Sequence, residues 1–124
     1  MILGIGIDMI EVDRVATRIA REQGFRELVF SPDEIAYCNA KAHPAQHYAA
    51  RFAAKEAFFK ALGTGWAAGT VFHEVEILPD DQGAPQLRLL DATAKTLAPR
   101  AIKNIWVSLT HLRESAAAVV VLET

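Results

Sequence analysis

Two short runs hold the residues best suited to chemistry: GIGID, ending on Asp8, and RFAAKEAFFKALGTG, from Arg51 to Gly65. The second reads as a helix, rich in Ala, Phe and Leu and closed by Gly63. At about 100° per residue, Arg51, Lys55, Phe58 and Leu62 share one stripe. Phe52, Glu56, Phe59 and Lys60 lie on a neighbouring one. Glu56 thus stands between two phenylalanines, with Lys60 one turn further on. A carboxylate among aromatic rings loses hydration and needs a cation, a hydrogen bond or a metal. A plain Glu56–Lys60 pair, worth about 0.2–0.5 kcal/mol at a surface, would meet that need.

Asp8 offers another solution. Residues 2–9 form an apolar run with Ile2, Ile5 and Ile7, which predicts a buried strand. Its pleat puts Ile2, Gly4, Gly6 and Asp8 on one face and Leu3, Ile5, Ile7 and Met9 on the other. Glycines inside a strand mark close approach by another element or a ligand. They equally fit tight helix–sheet packing, with Asp8 merely ending the strand. If the long helix crosses the glycine face, however, Asp8 and Glu56 converge. Two carboxylates without Cys or clustered His suit Mg²⁺, which keeps waters and leaves positions for substrate phosphates. Lys60, with Arg51 and Lys55 nearby, would supply positive charge for such a phosphate. The Gly63–Gly65 turn permits close backbone approach. It is not a P-loop, because its glycines follow a helix instead of opening one.

The remaining elements must position these groups. Val12, Val15, Ala16 and Ile19 predict an amphipathic helix over residues 12–22, with Gly24 just beyond. Ser31, Pro32 and Glu34 form a capping box that opens a short helix to about Lys41. KAHPAQ is a loop around Pro44, and the long helix spans roughly Ala45 to Leu62. Residues 71–78 read as a strand, PDDQGAP as a turn and QLRLL as the returning strand. Asp91 is placed to cap a helix through about Leu97, with Pro99 past its end. NIWVSLT and AAAVVVLE are two strands joined around His111 to Ser115. The order β-α-α-α-β-β-α-β-β predicts an α+β domain: an antiparallel sheet with a long central helix packed on it.

The 124 residues suit a single domain, 1–124, and 52% apolar against 23% charged residues argues against disorder. A net charge of −2 is too mild for wholesale nucleic-acid binding. Cys38 is the only cysteine, so no intrachain disulfide forms. The apolar start lacks a basic leader, and Asp8 interrupts it far short of a membrane span. The expectation is a cytoplasmic protein that starts at its mature N-terminus and associates with neither membrane nor nucleic acid.

Taken together, GIGIDMIEVDR, RFAAKEAFFKALGTG and VSLTH…AAAVVV resemble the holo-[acyl-carrier-protein] synthases, the small bacterial 4′-phosphopantetheinyl transferases. The resemblance spans the whole chain. It implies the 4′-phosphopantetheinyl transferase fold and transfer of 4′-phosphopantetheine from coenzyme A (CoA) to a serine of apo-acyl carrier protein. The co-product would be adenosine 3′,5′-bisphosphate, and the setting fatty acid biosynthesis. It further implies Mg²⁺ held at Asp8 and Glu56, and a homotrimer with CoA in clefts between subunits. Asp8, Glu56 and Lys60 then form the catalytic group. Arg51, Lys60, Gly63, Gly65 and His111 become the expected CoA contacts, His111 acting in its own or a neighbour's site. The serine needs a base, for which Glu56, directly or through a metal-bound water, is the candidate. Leu112 supplies no acid where some relatives carry aspartate, and Ser115 stands where an aromatic is frequent. Ile10 lacks the extra carboxylate of the larger transferases, so water should complete the metal's shell.

Arg14, Arg18 and Arg21 fall within an arc of roughly 60° on the first helix, with Arg26 just past its end. Such a stripe fits an ordinary solvated face. The resemblance makes it the docking surface for the acidic carrier protein, with complementary charge steering encounter. His43 and His47 are separated by Pro44, His73 stands alone, and Cys38 reads as a buried thiol. Three other functions remain open to the same residues: a CoA or nucleotide sensor, a Mg²⁺-dependent phosphohydrolase, and an adaptor for acidic partners.

Overall fold

Gly4 and Gly6 decide where the long helix lies. In the computed structural model, which describes residues 1–124, strand β1 (Ile2–Glu11) runs directly beneath helix α4 (Pro44–Ala61). A Cβ on Gly4 would sit 1.9 Å from the Ala61 carbonyl oxygen, and one on Gly6 would sit 2.0 Å from that of Ala57. No residue but glycine permits this approach. The alanines of α4 keep its own side of the contact thin: Ala53, Ala54, Ala57 and Ala61 are all buried.

The other helices are α1 (Val12–Ala20), α2 (Phe25–Val29), α3 (Pro32–Asn39) and α5 (Asp91–Leu97). The remaining strands are β2 (Val75–Pro79), β3 (Pro85–Leu89), β4 (Asn104–His111) and β5 (Ser115–Glu123). All pairings are antiparallel, as expected, but they make two sheets: β1-β5-β4 and a separate β2-β3 hairpin. Helix α4 packs between them, with Phe58, Phe59, Val75, Ile77, Val120 and Leu122 in the main core. A second core under α1 to α3 gathers Val15, Phe30, Cys38 and Tyr48. Burial pushes the Cys38 thiol up to about 11, consistent with an inert packing role. No helix is long and apolar enough to cross a membrane.

Four local expectations need correction. Helix α2 was missing from the sequence reading, its five residues being too short to show a period. The segment read as a strand from residue 71 first makes a 3₁₀ turn, Phe72–Glu74. Asp91 does not cap α5; it adopts φ 46° inside the first turn. The cap comes from Glu74, whose carboxylate accepts from the Thr93 amide (2.9 Å) and hydroxyl (2.7 Å). Pro44 does not separate two histidines by breaking a helix: it opens α4, with His43 as the N-cap.

The expected capping box at Ser31 and Glu34 is present, but Glu34 does more than cap. It is fully buried, and its Oε1 accepts from Lys55 Nζ at 2.8 Å while its Oε2 accepts from the Ile77 amide at 2.9 Å. Lys55, also fully buried, donates further to the Phe72 and Val75 carbonyls. Burial pushes the Lys55 ammonium down, and Glu34 opposes that shift. Lys55 is therefore a structural clamp joining α3, α4 and the β2 hairpin, unable to reach a phosphate as the sequence suggested. Replacing Lys55 by Met strands a buried carboxylate and is expected to cost about 3–5 kcal/mol by urea denaturation. Adding Glu34→Gln to that variant should restore part of the loss. Equal midpoints for the wild type and Lys55→Met would refute this role.

Candidate active site

The pleat that aims Gly4 and Gly6 at α4 aims Asp8 the same way. Lys60 Nζ donates to Asp8 Oδ1 at 3.0 Å and to the Ile7 carbonyl at 3.0 Å. It makes no pair with Glu56, so the i,i+4 reading fails, and Lys60 leans across to the strand instead. Glu56 is left partly buried without an ion-pair partner. Burial raises its pKa, the nearby charge of Asp8 raises it further, and Lys60 pulls it back. Two carboxylates thus lie close enough to feel one another's charge, with one half-exposed ammonium paired to Asp8. Such a pair is short of positive charge.

Those groups fit a hard divalent cation. The two carboxylates offer only oxygen donors, and no group of three or more His, Cys, Asp or Glu able to hold a metal ion by itself is assembled in the chain, so water and ligand oxygens would have to complete a shell. Two carboxylates suit Mg²⁺, whose other positions go to water and phosphate. The turn after α4 lies beyond Lys60. Gly63 (φ 81°) and Gly65 (φ 67°) are both left-handed and exposed, and a Cβ at either would meet nothing. Glycine is needed there for backbone conformation alone. Arg100 holds the helix end by donating to the Leu62 carbonyl at 2.8 Å.

Arg51 and His111, also expected near the phosphates, are not among these groups. Both line a separate cavity of about 240 Å³, between the start of α4, the β2-β3 hairpin and the end of β4. Arg51 is buried: Nε donates to the Ile77 carbonyl at 3.0 Å, and the guanidinium lies over the Tyr37 ring at 4.4 Å. The site therefore has two charged centres on one helix, about two turns apart along α4.

Residues 4–120 match the family model of the 4′-phosphopantetheinyl transferase superfamily. The chain is 47% identical over 124 residues to the holo-[acyl-carrier-protein] synthase of Maridesulfovibrio salexigens, covering 99% of each chain. It belongs to the holo-[acyl-carrier-protein] synthase family. The crystal structure of the family member from Neisseria meningitidis superposes with a TM-score of 0.91 at 32% identity, over the full length of both chains. Another, from Bacillus anthracis in complex with CoA (3′,5′-ADP), gives 0.82 at 33% identity, covering 100% of this chain and 98% of that one.

Within this holo-[acyl-carrier-protein] synthase fold, the arginine stripe forms as its spacing predicted. Arg14, Arg18 and Arg21 are exposed and line a shallow depression with Asp13 and Thr17. Arg18 also lies over the Phe25 ring at 5.5 Å, which ties the stripe to α2. Arg26 is spent on Glu27, at 2.7 Å, and adds no free charge. The residue that sequence reasoning passed over is His47. Its ring meets that of His111 edge to face, 5.4 Å between centroids, in the wall of the Arg51 cavity. The i,i+4 spacing from His47 to Arg51 on the long helix was the available signal.

Proposed function

We propose that this chain transfers 4′-phosphopantetheine from CoA to a serine of apo-acyl carrier protein, with Mg²⁺, in the cytoplasm and for fatty acid biosynthesis. The observation that carries the proposal is the unpartnered, partly buried Glu56 beside Asp8, formed where α4 crosses the glycines of β1. Asp8 and Glu56 would hold the ion, which when bound neutralises phosphate charge and stabilises a leaving oxygen. The serine Oγ forms a bond to the β-phosphorus of CoA. The bond from that phosphorus to the bridging oxygen breaks, and the electron pair leaves with adenosine 3′,5′-bisphosphate. Glu56, directly or through a water on the ion, is the candidate to take the serine proton. Lys60, half-exposed and held only by Asp8 and a backbone carbonyl, can turn to the phosphates. Gly63 and Gly65 let the chain after α4 approach CoA, while Arg51 and His111 bind the phosphate at its far end.

The outer face of β1-β5-β4 supports the homotrimer. Ile5, Ile7 and Met9 are 66%, 68% and 71% exposed, Leu3 and Trp106 are also open, and Val119 and Val121 of β5 complete the patch. A face this apolar is stable in water when covered, and two further copies of the chain would cover it.

The test is to incubate the protein with CoA, Mg²⁺ and apo-carrier and weigh the carrier. A gain of one phosphopantetheine arm supports the proposal. CoA cleavage with unmodified carrier would make it a hydrolase, and neither product would leave a sensor or adaptor. Reversing Arg14 and Arg21 to Glu should raise the carrier KM roughly tenfold and leave the CoA KM near its original value. The loss should shrink at high salt. Equal changes in both KM values would remove α1 from docking.

A further inference from the structure

The cavity around Arg51 holds more cationic capacity than one guanidinium and His111 explain. His47 and His111 both line it and meet edge to face, ring centroids 5.4 Å apart, and the Tyr37 ring stands edge-on to His47 at 6.1 Å. Arg51 lies one turn along α4, and Lys41 and His43 in the α3–α4 connection are near enough for their charge to act on His47. No carboxylate lines the cavity. Arg51 is already fixed by the Ile77 and His47 carbonyls, so its orientation is set before any ligand arrives. Two imidazoles beside a fixed guanidinium, with no counter-charge, make a site for a dianion that brings its own charge.

We infer that His47 is a proton-coupled phosphate contact: together with Arg51 and His111 it binds a terminal phosphate monoester and takes up a proton on doing so. The inference rests on CoA being the ligand, and it adds a residue and a pH dependence to that reading. Burial, Arg51 and His111 all push the pKa of free His47 down, so its ring is neutral in neutral solution. A dianionic phosphate favours the charged ring and pulls a proton on. Preference for CoA over dephospho-CoA, which lacks the monoester, therefore strengthens as pH falls through the imidazole range. It levels off near the phosphate's own second pKa of about 6, where the ligand loses charge.

The experiment is calorimetric titration of the trimer-competent full chain with CoA and with dephospho-CoA, from mildly basic to mildly acidic buffer. The wild-type preference for CoA should grow about tenfold across that range, the worth of one charge-assisted hydrogen bond. Proton uptake, read from buffers of different ionisation heat, should accompany CoA alone. His47→Gln and His47→Asn should reduce both the pH dependence and the proton uptake, while Arg51 and His111 retain a basal preference for CoA. The His47 imidazole resonance in the wild type should move to a higher pKa with CoA bound, a readout free of any folding defect. Unchanged pH dependence in both variants, or an unmoved resonance, overturns the inference and leaves the transferase reading intact. No CoA binding at any pH, with no carrier mass gain, would overturn both.

Discussion

Glu56→Gln, and equally Asp8→Asn, should lower the rate of carrier modification by about 10³-fold or more with the circular dichroism spectrum unchanged. Each substitution keeps the side-chain shape and removes one charge; of the two, only that of Asp8 has a partner, Lys60. The expected effect on stability makes the test sharper. Asp8→Asn loses only a half-exposed pair with Lys60, worth at most about 1 kcal/mol. Glu56→Gln should instead stabilise the protein in neutral buffer. A carboxyl whose pKa is raised on folding opposes the folded state above that raised value, and the opposition disappears below its ordinary pKa. The urea midpoint of Glu56→Gln should therefore exceed the wild type near neutrality and match it in acid. Mg²⁺ affinity, read by calorimetry, should fall in both variants. Full activity in either, or a Glu56→Gln protein less stable than wild type, would show that these carboxylates serve the fold.

Gly6→Ala, like Gly4→Ala, should be among the most damaging single-methyl changes in the chain. The added Cβ would stand 2.0 Å from the Ala57 oxygen and 2.7 Å from the Ala61 nitrogen, both backbone atoms of a helix buried on most sides. No rotamer change can relieve that contact; α4 must lift away from β1. The expected cost exceeds about 3 kcal/mol, beyond ordinary overpacking, because the neighbours are not side chains. Activity should fall with stability, since lifting α4 separates Glu56 from Asp8. Gly63→Ala gives the contrast: its Cβ meets nothing and only the left-handed φ is strained, for about 1–2 kcal/mol. Similar denaturation midpoints for Gly6→Ala and wild type would mean the helix does not sit where β1 places it.

Much of this was legible in one dimension. The pleat of GIGID put the glycines and Asp8 on one face, helical spacing put Glu56 and Lys60 on another, and convergence required only that α4 lie on that strand. Arg14, Arg18 and Arg21 needed nothing but the helical repeat. Lys55 could not be read this way. Its neighbours in sequence suggested a free cation beside Glu56, whereas its partner Glu34 lies 21 residues upstream and its carbonyl acceptors lie downstream.

Periodicity and residue type thus determined, from the sequence alone, the longer elements, the faces they present and the chemistry of each stripe, because those follow from local backbone geometry; the five-residue α2 and the 3₁₀ turn at Phe72–Glu74 were too short to show a period. Which stripe is buried and which stays wet was decided by tertiary packing. Arg51 and Lys55 turn inward against the β2-β3 hairpin, Glu56 and Lys60 turn toward β1, and His47 meets His111 in the wall of a cavity. Those outcomes depend on contacts between segments far apart along the chain. Hydration, charge pairing and proton affinity are set by such contacts, so the third dimension assigned each ionisable group its role.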